Sequence, residues 1–378
     1  MTDTPFDINI ATGFESVADT FKANFEEGGE LGAQFFVLKD GEPIVDCKGG
    51  WADKGKTTAM NSDSLISVYS SGKAMAALVI AWLVDQDRIG YDQTVSSLWP
   101  EFGTNGKDKV TIAELMSHQA GLSGFSNPEW SREDWFDWNK ACAELAGQTP
   151  LYTPGEACGY HPVTFGILAG EIARLADEEG RTLGQILREE FCGPQNIDVW
   201  IGLPDAEHDR CSDMVRPKRL PKFGTPNPAL NAAFFTKGAS ADTSDLARWR
   251  RVELAGSNCQ ATAKGMATMM QVFNTGRLGD IVMLAPDTLA RLCEPRISAP
   301  NLVLPFDLTF AAGVMLNEPN FFFGPNARTV GHSGWGGSCV FADSESGLTG
   351  CYAMNRQENS LLGDSRSVRL IDAVYSCL

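Results

Sequence analysis

Three kinds of feature are missing from this chain of 378 residues. None of its ten cysteines forms a C-x-x-C pair, which disfavours thioredoxin-like redox motifs and clustered metal ligands. No run of about 18 apolar residues occurs, so no transmembrane helix is expected. The opening residues, MTDTPFDINIATGF, contain neither a basic region nor an apolar core, so no export signal is expected. Together these absences predict a cytoplasmic protein with reduced thiols.

Positive charge is also scarce. The chain has 31 Lys and Arg residues against 48 Asp and Glu residues, and its formal net charge is −17. Because so acidic a surface repels phosphate backbones and anionic lipids, neither nucleic acid nor a membrane is an expected partner. Hydrophobic residues make up 43% of the chain and charged residues 21%, which is the composition of a folded globular protein and excludes a disordered one.

Hydrophobic spacing predicts mixed structure at both ends of the chain and helices in the middle. The clearest helix is Ser71–Asp85, where apolar residues recur at helical intervals. The other predicted elements are helices over Phe14–Phe25, Thr111–Ser117, Trp135–Leu145, Thr164–Leu175, Leu183–Glu190, Gly265–Phe273 and Val368–Tyr375, and strands over Gln34–Leu38, Pro43–Cys47, Leu308–Leu316, Ser338–Ala342 and Leu348–Met354. This order predicts an α/β domain built from residues 1–90 and 280–378, with a mostly helical region over 91–279.

Two segments are similar to known functional motifs but are not predicted to have the functions of those motifs. Residues Gly50–Thr57 match the phosphate-loop pattern G-x-x-x-x-G-K-[ST]. The pattern requires a following helix, and the next residues, TAMNSDS, lack helical periodicity, so this segment is predicted to be a basic loop. Gly331–Gly337 is similar to the nucleophile elbow G-x-S-x-G, but Trp335 stands where the last glycine is needed. Ser333 is therefore not predicted to be a nucleophile.

A third motif, the S-x-x-K of Ser70-Ser71-Gly72-Lys73, lies at the start of the clearest helix. Positions i and i+3 lie one above the other on a helix, so the Lys73 amine is expected within reach of the Ser70 hydroxyl. A serine becomes a nucleophile when a base takes its proton, and a lysine can be that base if burial lowers its pKa. The alternative interpretation is a helix-capping serine and a surface lysine.

Four segments, in the same order, resemble the serine β-lactamases of the class C type and the esterases and peptidases related to them. In character the chain is closest to the β-lactamase-like carboxylesterases of family VIII. The four segments are SLISVYSSGKAMAALVIAWLVDQDRIGYDQTVSSLWPEF, TIAELMSHQAGLSGF, PGEACGYHPVTFGILAGEIARL and VGHSGWGGSCVFADSESGLTGCYAMNRQ. The resemblance covers roughly residues 30–378. It implies a β-lactamase/transpeptidase-like fold, with an antiparallel sheet flanked by helices and a substrate cleft against the helical region.

The resemblance also implies roles for individual residues. Ser70 would be acylated, Lys73 would be its buried base, and Tyr160 would pass the proton to the leaving group and activate water. The backbone amides of Ser70 and Trp335 would form the oxyanion hole; a different register of the motif places the second amide at Ser338. No metal or organic cofactor is expected.

Two departures from the family pattern bear on the substrate. His332-Ser333-Gly334 stands where the family has Lys-Thr-Gly or His-Thr-Gly, so His332 takes the place of a lysine beside the substrate. Pro162 stands where penicillin-hydrolysing members have an asparagine that holds the antibiotic's amide. The sequence therefore favours a serine esterase that cleaves small carboxylic esters, with Trp335 and Phe125 as apolar walls of the pocket; Phe125 is equally compatible with a place in the core.

Other functions stay open at this stage. A β-lactamase, an amide hydrolase and an acyltransferase would use the same chemistry on another small molecule. A non-catalytic scaffold of the same fold is a further alternative, although it would not need Ser70, Lys73 and Tyr160 together. A nucleotide-binding protein that uses Gly50–Thr57 is the most distant alternative.

Overall fold

The computed structural model describes residues 4–27 and 29–378. The α-helices are α1 Glu15–Glu27, α2 Lys73–Asp85, α3 Val95–Leu98, α4 Ile112–Met116, α5 Trp138–Gly147, α6 Thr164–Ala176, α7 Leu183–Ile186, α8 Pro228–Leu230, α9 Leu246–Arg251, α10 Ala263–Thr275, α11 Pro286–Cys293 and α12 Ser365–Tyr375. The strands are β1 Phe6–Ile10, β2 Gly32–Lys39, β3 Glu42–Gly50, β4 Ile66–Ser67, β5 Val199–Trp200, β6 Gln260–Ala261, β7 Arg277–Leu278, β8 Ile281–Val282, β9 Ile297–Pro300, β10 Asp307–Phe310, β11 Met315–Leu316, β12 Val330–Ser333, β13 Cys339–Asp343 and β14 Leu348–Met354. Within those ranges, no helix has the length and apolar character that crossing a bilayer requires.

A nine-stranded antiparallel sheet joins the two ends of the chain, in the order β1-β3-β2-β14-β13-β12-β11-β10-β9. The strand β14 pairs with β2, so the C-terminal strands extend the sheet that the N-terminal hairpin begins. That hairpin turns at Asp40 and Gly41, whose positive φ angles of 50° and 87° suit a two-residue loop. The predicted antiparallel sheet built from both ends is therefore present.

The two faces of the sheet bury different helices. Along β2, Phe35 and Val37 join the apolar cluster that includes Phe21 of α1, while Phe36 and Leu38 join the cluster that includes α2. This alternation follows from the period of two along a strand. The helix α10 lies on the same face as α2 and packs against β2, β13 and β14. A helix from the predicted helical region thus completes the layer over the sheet.

Three segments differ from or extend the sequence predictions. The predicted strand over Leu308–Leu316 is wrong as a single element, because the chain turns at Gly313, with φ 94°, and divides into β10 and β11. A side chain at Gly313 would press on Ala77 of α2, so the turn also allows a close approach to that helix. The edge strand β1 and the helix α11 were not predicted.

The segment Gly50–Thr57 forms a closed turn, and no helix follows it. The Asp53 carboxylate accepts hydrogen bonds from the backbone amides of Thr57 and Thr58. The amide of Lys54 donates to Asp213. Because the loop's amides bind the chain's own carboxylates, the prediction of a structural loop is confirmed.

Candidate active site

Ser70 lies in a short 3₁₀ turn, Tyr69–Gly72, that leads directly into α2. The turn begins with a left-handed residue, since Tyr69 has φ 48°. It packs closely on the chain near Cys259, where a side chain at Gly72 would come within 2.4 Å of the Cys259 Cβ atom. The sequence placed the helix start at Ser71; the structure has a 3₁₀ turn first and an α-helix from Lys73. This arrangement fixes Ser70 at the entrance of a buried helix.

The Lys73 amine is held by three oxygen atoms. Its Nζ atom lies 3.0 Å from the Ser70 Oγ atom, 2.8 Å from the Pro162 carbonyl oxygen and 2.9 Å from the Gly256 carbonyl oxygen. Carbonyl oxygens can only accept hydrogen bonds, so they take two amine hydrogens. A neutral amine then has one lone pair left, and the remaining neighbour is the Ser70 hydroxyl. The Ser70 Oγ atom also lies 3.1 Å from the Gly256 carbonyl oxygen, so its hydroxyl can donate either to that carbonyl or, by rotating, to the lone pair of a neutral Lys73 amine.

The surroundings of Lys73 favour this neutral form. The side chain is fully buried, and it forms no ion pair with any carboxylate in the part of the chain that the structure describes. Burial lowers the pKa of Lys73 well below its usual value, because a charged ammonium loses its hydration. Its neighbours supply backbone dipoles but no compensating negative charge. Lys73 thus lies within hydrogen-bond distance of Ser70, as the S-x-x-K spacing predicted.

Tyr160 faces the same amine. The Lys73 Nζ atom lies 4.9 Å from the centre of the Tyr160 ring, and that ring stacks on Phe310. The buried Tyr160 hydroxyl has no hydrogen-bond partner among the described residues. Burial raises the pKa of Tyr160, while contact with Ser70 opposes the rise. Tyr160 is therefore a neutral phenol, and its hydroxyl can form a hydrogen bond with a group that enters the site.

His332 is buried close to Tyr160, with the two ring centres 6.0 Å apart. Its Nδ1 atom lies 2.9 Å from the Ser333 carbonyl oxygen and therefore carries the proton. Burial lowers the pKa of His332 to about 3. At neutral pH His332 is uncharged, so it does not replace the positive charge of the family's lysine.

Two further histidines support the segment that carries Tyr160. The backbone amide of His161 donates to the Nδ1 atom of His118, and the His161 ring is held between Leu122 and Gly159. The His118 ring packs edge-on against Tyr160, with the ring centres 4.8 Å apart. Both rings therefore act as structural supports.

The functional groups that the sequence did not reveal are backbone carbonyls. Pro162 was noted only for the side-chain donor it lacks, yet its carbonyl oxygen holds the Lys73 amine. Gly256 was not noted at all. A side chain there would come within 2.7 Å of the Lys73 Nζ atom, so this position requires glycine. Every residue has a carbonyl group, so no sequence pattern could have identified either.

The loop between β12 and β13 carries Trp335. The strand β12 ends at Ser333, and Trp335 lies in a turn rather than in a strand. The turn needs two consecutive glycines, because Gly336 and Gly337 have φ angles of 84° and 133°. We call Gly334–Ser338 the glycine turn.

Most amides of the glycine turn are already bonded. The amide of Gly334 donates to Ser338, that of Gly336 to Ser360, and that of Gly337 to Gly334. No backbone acceptor binds the amides of Trp335 and Ser338 among the described residues. These two are the alternative oxyanion-hole donors that the sequence proposed.

The glycine turn packs against the segment that carries Ser70. The Ser338 hydroxyl donates to the Val68 carbonyl oxygen at 2.8 Å and lies 3.1 Å from the Ser71 hydroxyl. At the other end of the turn, the Trp335 carbonyl oxygen accepts from the Gln357 side chain. Gly334, the residue before Trp335, lies against the same segment, since a side chain there would come within 2.2 Å of the Val68 carbonyl oxygen. Both candidate amides therefore lie near the Ser70 segment.

Arg366, at the start of α12, holds the glycine turn from behind. Its Nη2 atom donates to the Gly336 carbonyl oxygen at 2.8 Å, and its Nε atom pairs with Asp364 at 2.9 Å. Its Nη1 atom lies 3.1 Å from the Glu30 carboxylate. All three charged side chains are almost completely buried. This buried ion cluster ties the turn to the body of the fold.

Phe125 does not line an open pocket. Its ring stacks on Trp130, with the ring centres 3.7 Å apart, and packs edge-on against Trp135. Only 2% of the residue is exposed. The prediction of a pocket wall at this position is replaced by the alternative that the sequence left open, a place in the core.

Comparison with known proteins agrees with this geometry. The chain matches the family model described as Beta-lactamase over residues 17–373. It is similar to the crystal structure of a penicillin-binding protein homolog from Caulobacter crescentus, with 47% identity, a TM-score of 0.96 and coverage of 99% of this chain and 100% of that one. A family VIII carboxylesterase shows 38% identity and a TM-score of 0.92, with 99% and 100% coverage. The esterase/beta-lactamase LipL of Mycobacterium tuberculosis is 29% identical over 366 residues, which are 91% of this chain and 81% of LipL.

Proposed function

This chain belongs to the Beta-lactamase family of serine hydrolases and has its β-lactamase/transpeptidase-like fold, and from that premise we propose that it is a carboxylesterase acting through an acyl-enzyme on Ser70. The observation that carries the proposal is the Lys73 amine, whose two carbonyl partners leave its lone pair for the Ser70 hydroxyl. The substrate would be a small carboxylic ester, and the reaction would need no metal or organic cofactor.

Acylation follows from the positions of these groups. The Ser70 oxygen attacks the ester carbonyl carbon as its proton moves to the Lys73 amine. The Ser70 amide and one amide of the glycine turn stabilise the negative carbonyl oxygen, and each such donor contributes about 3 kcal/mol. The second donor is the amide of Trp335 or that of Ser338, the two amides of the turn that no backbone acceptor binds among the described residues.

The rest of the cycle returns each proton. When the carbon–oxygen bond of the ester breaks, the Tyr160 phenol donates a proton to the leaving alkoxide and regains one from the Lys73 ammonium. Water then attacks the acyl-enzyme, its proton passes through the same groups, and the acid leaves with Ser70 regenerated. Protons and charges balance over the cycle, since an ester and a water molecule give an alcohol and an acid.

Two features support an ester as the preferred substrate. Pro162 has no side-chain amide to bind the acylamide of a penicillin, and the neutral His332 supplies no charge like that of the family's lysine. A family VIII carboxylesterase and LipL are among the similar proteins. Hydrolysis of β-lactams is the second candidate, because LipL is named as both an esterase and a β-lactamase.

A panel of activated esters and lactams tests the proposal. We expect the wild-type protein to cleave p-nitrophenyl butyrate faster than nitrocefin and to form a covalent adduct, detected by intact-mass measurement, on the peptide that contains Ser70. Ser70→Ala should form no adduct and cleave neither compound above background. Ser333→Ala is the matched control and should be labelled like wild type. An adduct on any other residue, or a faster reaction with nitrocefin, would contradict the proposal.

Replacing Tyr160 by phenylalanine tests the proton path. We expect the kcat for ester hydrolysis to fall by about 10²-fold, because the ring remains but the proton donor is lost. Tyr91→Phe is the control, since that buried hydroxyl also has no hydrogen-bond partner among the described residues but lies beside Arg291 and Arg296. Equal kcat values for wild type and Tyr160→Phe would remove Tyr160 from the path.

A further inference from the structure

One stretch of this acidic protein has the opposite charge. Residues 214–241 contain no aspartate or glutamate, although the whole chain has a formal net charge of −17. The stretch carries five basic residues, Arg216, Lys218, Arg219, Lys222 and Lys237. All five are exposed, and none forms an ion pair in the part of the chain that the structure describes. We call the portion over residues 215–230 the basic rim.

The basic rim begins beside the glycine turn. Val215 bonds through its amide and its carbonyl oxygen to Asn355 and Gln357. The Gln357 side chain in turn donates to the carbonyl oxygen of Trp335. The next residue, Arg216, lies close enough to Tyr69 for its charge to oppose the rise in the Tyr69 pKa that burial causes. This end of the rim is therefore next to the 3₁₀ turn Tyr69–Gly72, which carries Ser70.

The other end of the basic rim lies beside the segment of Tyr160. The Asn227 side chain donates to the Leu302 carbonyl oxygen at 2.7 Å, and the Leu302 amide donates to Cys158 at 2.9 Å. Cys158 comes two residues before Tyr160. Between its two anchored ends, the rim runs from the glycine-turn side of the site to the tyrosine side. Its lysines and arginines thus belong to a segment whose two ends are anchored on two sides of the site.

The rim is also aromatic. Phe223 packs against Phe234 and Phe235, with ring centres 4.8 Å and 4.9 Å apart, and about half of Phe235 is exposed. An aromatic surface next to unpaired positive charges suits a molecule with an apolar part and an anionic group. Exposed charges of one sign beside a cleft raise the local concentration of oppositely charged substrate, and this effect weakens as salt screens it.

We propose that the basic rim binds an anionic group of the substrate, so that the preferred substrate is an ester carrying a carboxylate or a similar anion. This inference rests on the proposed esterase function and deepens it by naming the substrate class. A small anion fits better than a nucleic acid or a membrane, because the rest of the surface is strongly acidic and repels large polyanions.

Two p-nitrophenyl esters of equal chain length, the hexanoate and the hydrogen adipate, differ only in a terminal carboxylate and therefore isolate the effect of charge. We expect wild type to have a higher kcat/KM for the adipate ester than for the hexanoate. In Lys218→Glu/Arg219→Glu/Lys222→Glu the ratio of the two kcat/KM values should fall at least about tenfold at low salt. The wild-type ratio should also shrink as sodium chloride rises from about 20 to about 500 mM.

The matched control is Lys22→Glu/Lys109→Glu/Lys264→Glu, which changes the net charge equally at exposed lysines outside the rim. Its ratio should equal that of wild type. If both esters are cleaved in a Ser70-dependent way and the rim variant keeps the wild-type ratio, the anion inference is overturned while the esterase function stands. If neither ester is cleaved, the esterase function fails and this inference fails with it. Binding of RNA or anionic vesicles that the rim variant loses, with an unchanged ratio, would also overturn it.

Discussion

Replacing Lys73 by methionine is expected to lower the kcat/KM for ester hydrolysis by about 10³-fold or more. Methionine has a similar length and fills the same buried space, but it cannot take a proton from Ser70. The Ser70 hydroxyl would keep its carbonyl neighbour, since its Oγ atom lies 3.1 Å from the Gly256 carbonyl oxygen. Rates with p-nitrophenyl butyrate and the time course of adduct formation on Ser70 measure the loss.

The same substitution should make the protein more stable. Burial lowers the pKa of Lys73, so between that lowered value and the ordinary lysine value the unfolded chain binds more protons than the folded one. Wild-type stability therefore rises with pH across this window, and Lys73→Met removes this dependence. We expect the variant to gain about 1–2 kcal/mol in the free energy of unfolding at neutral pH and less at about pH 9.5.

If Lys73 is a catalytic base, its replacement raises the free energy of unfolding and lowers the activity. These opposite changes distinguish a base from a structural lysine. A lysine that held the fold together would, when replaced, lower both the free energy of unfolding and the activity. A full rate of Ser70 labelling at neutral pH in Lys73→Met would remove the amine from the base role. In wild type, kcat/KM should rise with pH as a single group, the Lys73 ammonium, loses its proton. The other two titratable groups of the site do not contribute near neutral pH, because the pKa of His332 is lowered to about 3 and that of Tyr160 is raised.

The chemistry that depends on local spacing was predictable from the sequence. Ser70 and Lys73 are one helical turn apart, so a correct helix prediction brought their side chains together, and the structure has them 3.0 Å apart. The hairpin at Asp40-Gly41 followed from turn chemistry in the same way. The position of Tyr160 came from the family resemblance, because nothing local links it to a residue about ninety positions earlier.

What the sequence could not supply depends on contacts between distant segments. The conformation around Trp335 was not predictable, because it depends on the two consecutive glycines that turn the chain after it. A phenylalanine such as Phe125 suits a core as well as a pocket wall, and only its stack on Trp130 shows that it belongs to the core. Arg366 belongs to no recognisable sequence motif. Its role is visible only in the folded structure, where the glycine turn lies against α12.

The buried ion cluster around Arg366 has more negative than positive groups. Arg366 faces both Glu30 and Asp364, and the Tyr352 hydroxyl also donates to Glu30. Burial raises the pKa of Glu30 to about 8, although the Arg366 charge opposes this. The folded protein therefore binds more protons than the unfolded chain between about pH 4.5 and 8, and this group's contribution to stability falls as the pH rises through that range.

Replacing Arg366 by methionine is expected to lower the free energy of unfolding by about 3–5 kcal/mol, because two buried carboxylates lose their only ion-pair partner among the described residues. The loss should be larger at pH 8 than at pH 5, since a protonated Glu30 needs no counter-charge. Thermal and urea unfolding at the two pH values measure it.

A second substitution separates the charge effect from the packing effect. In Arg366→Met, adding Glu30→Gln should recover part of the lost stability and flatten its pH dependence, since glutamine keeps the shape of Glu30 without its charge. It should not restore the hydrogen bond to the Gly336 carbonyl oxygen, so kcat should stay low where the double variant is fully folded. Recovery of kcat together with stability would mean that Arg366 supports only the fold. Recovery of stability alone would make it a positioning residue for the glycine turn.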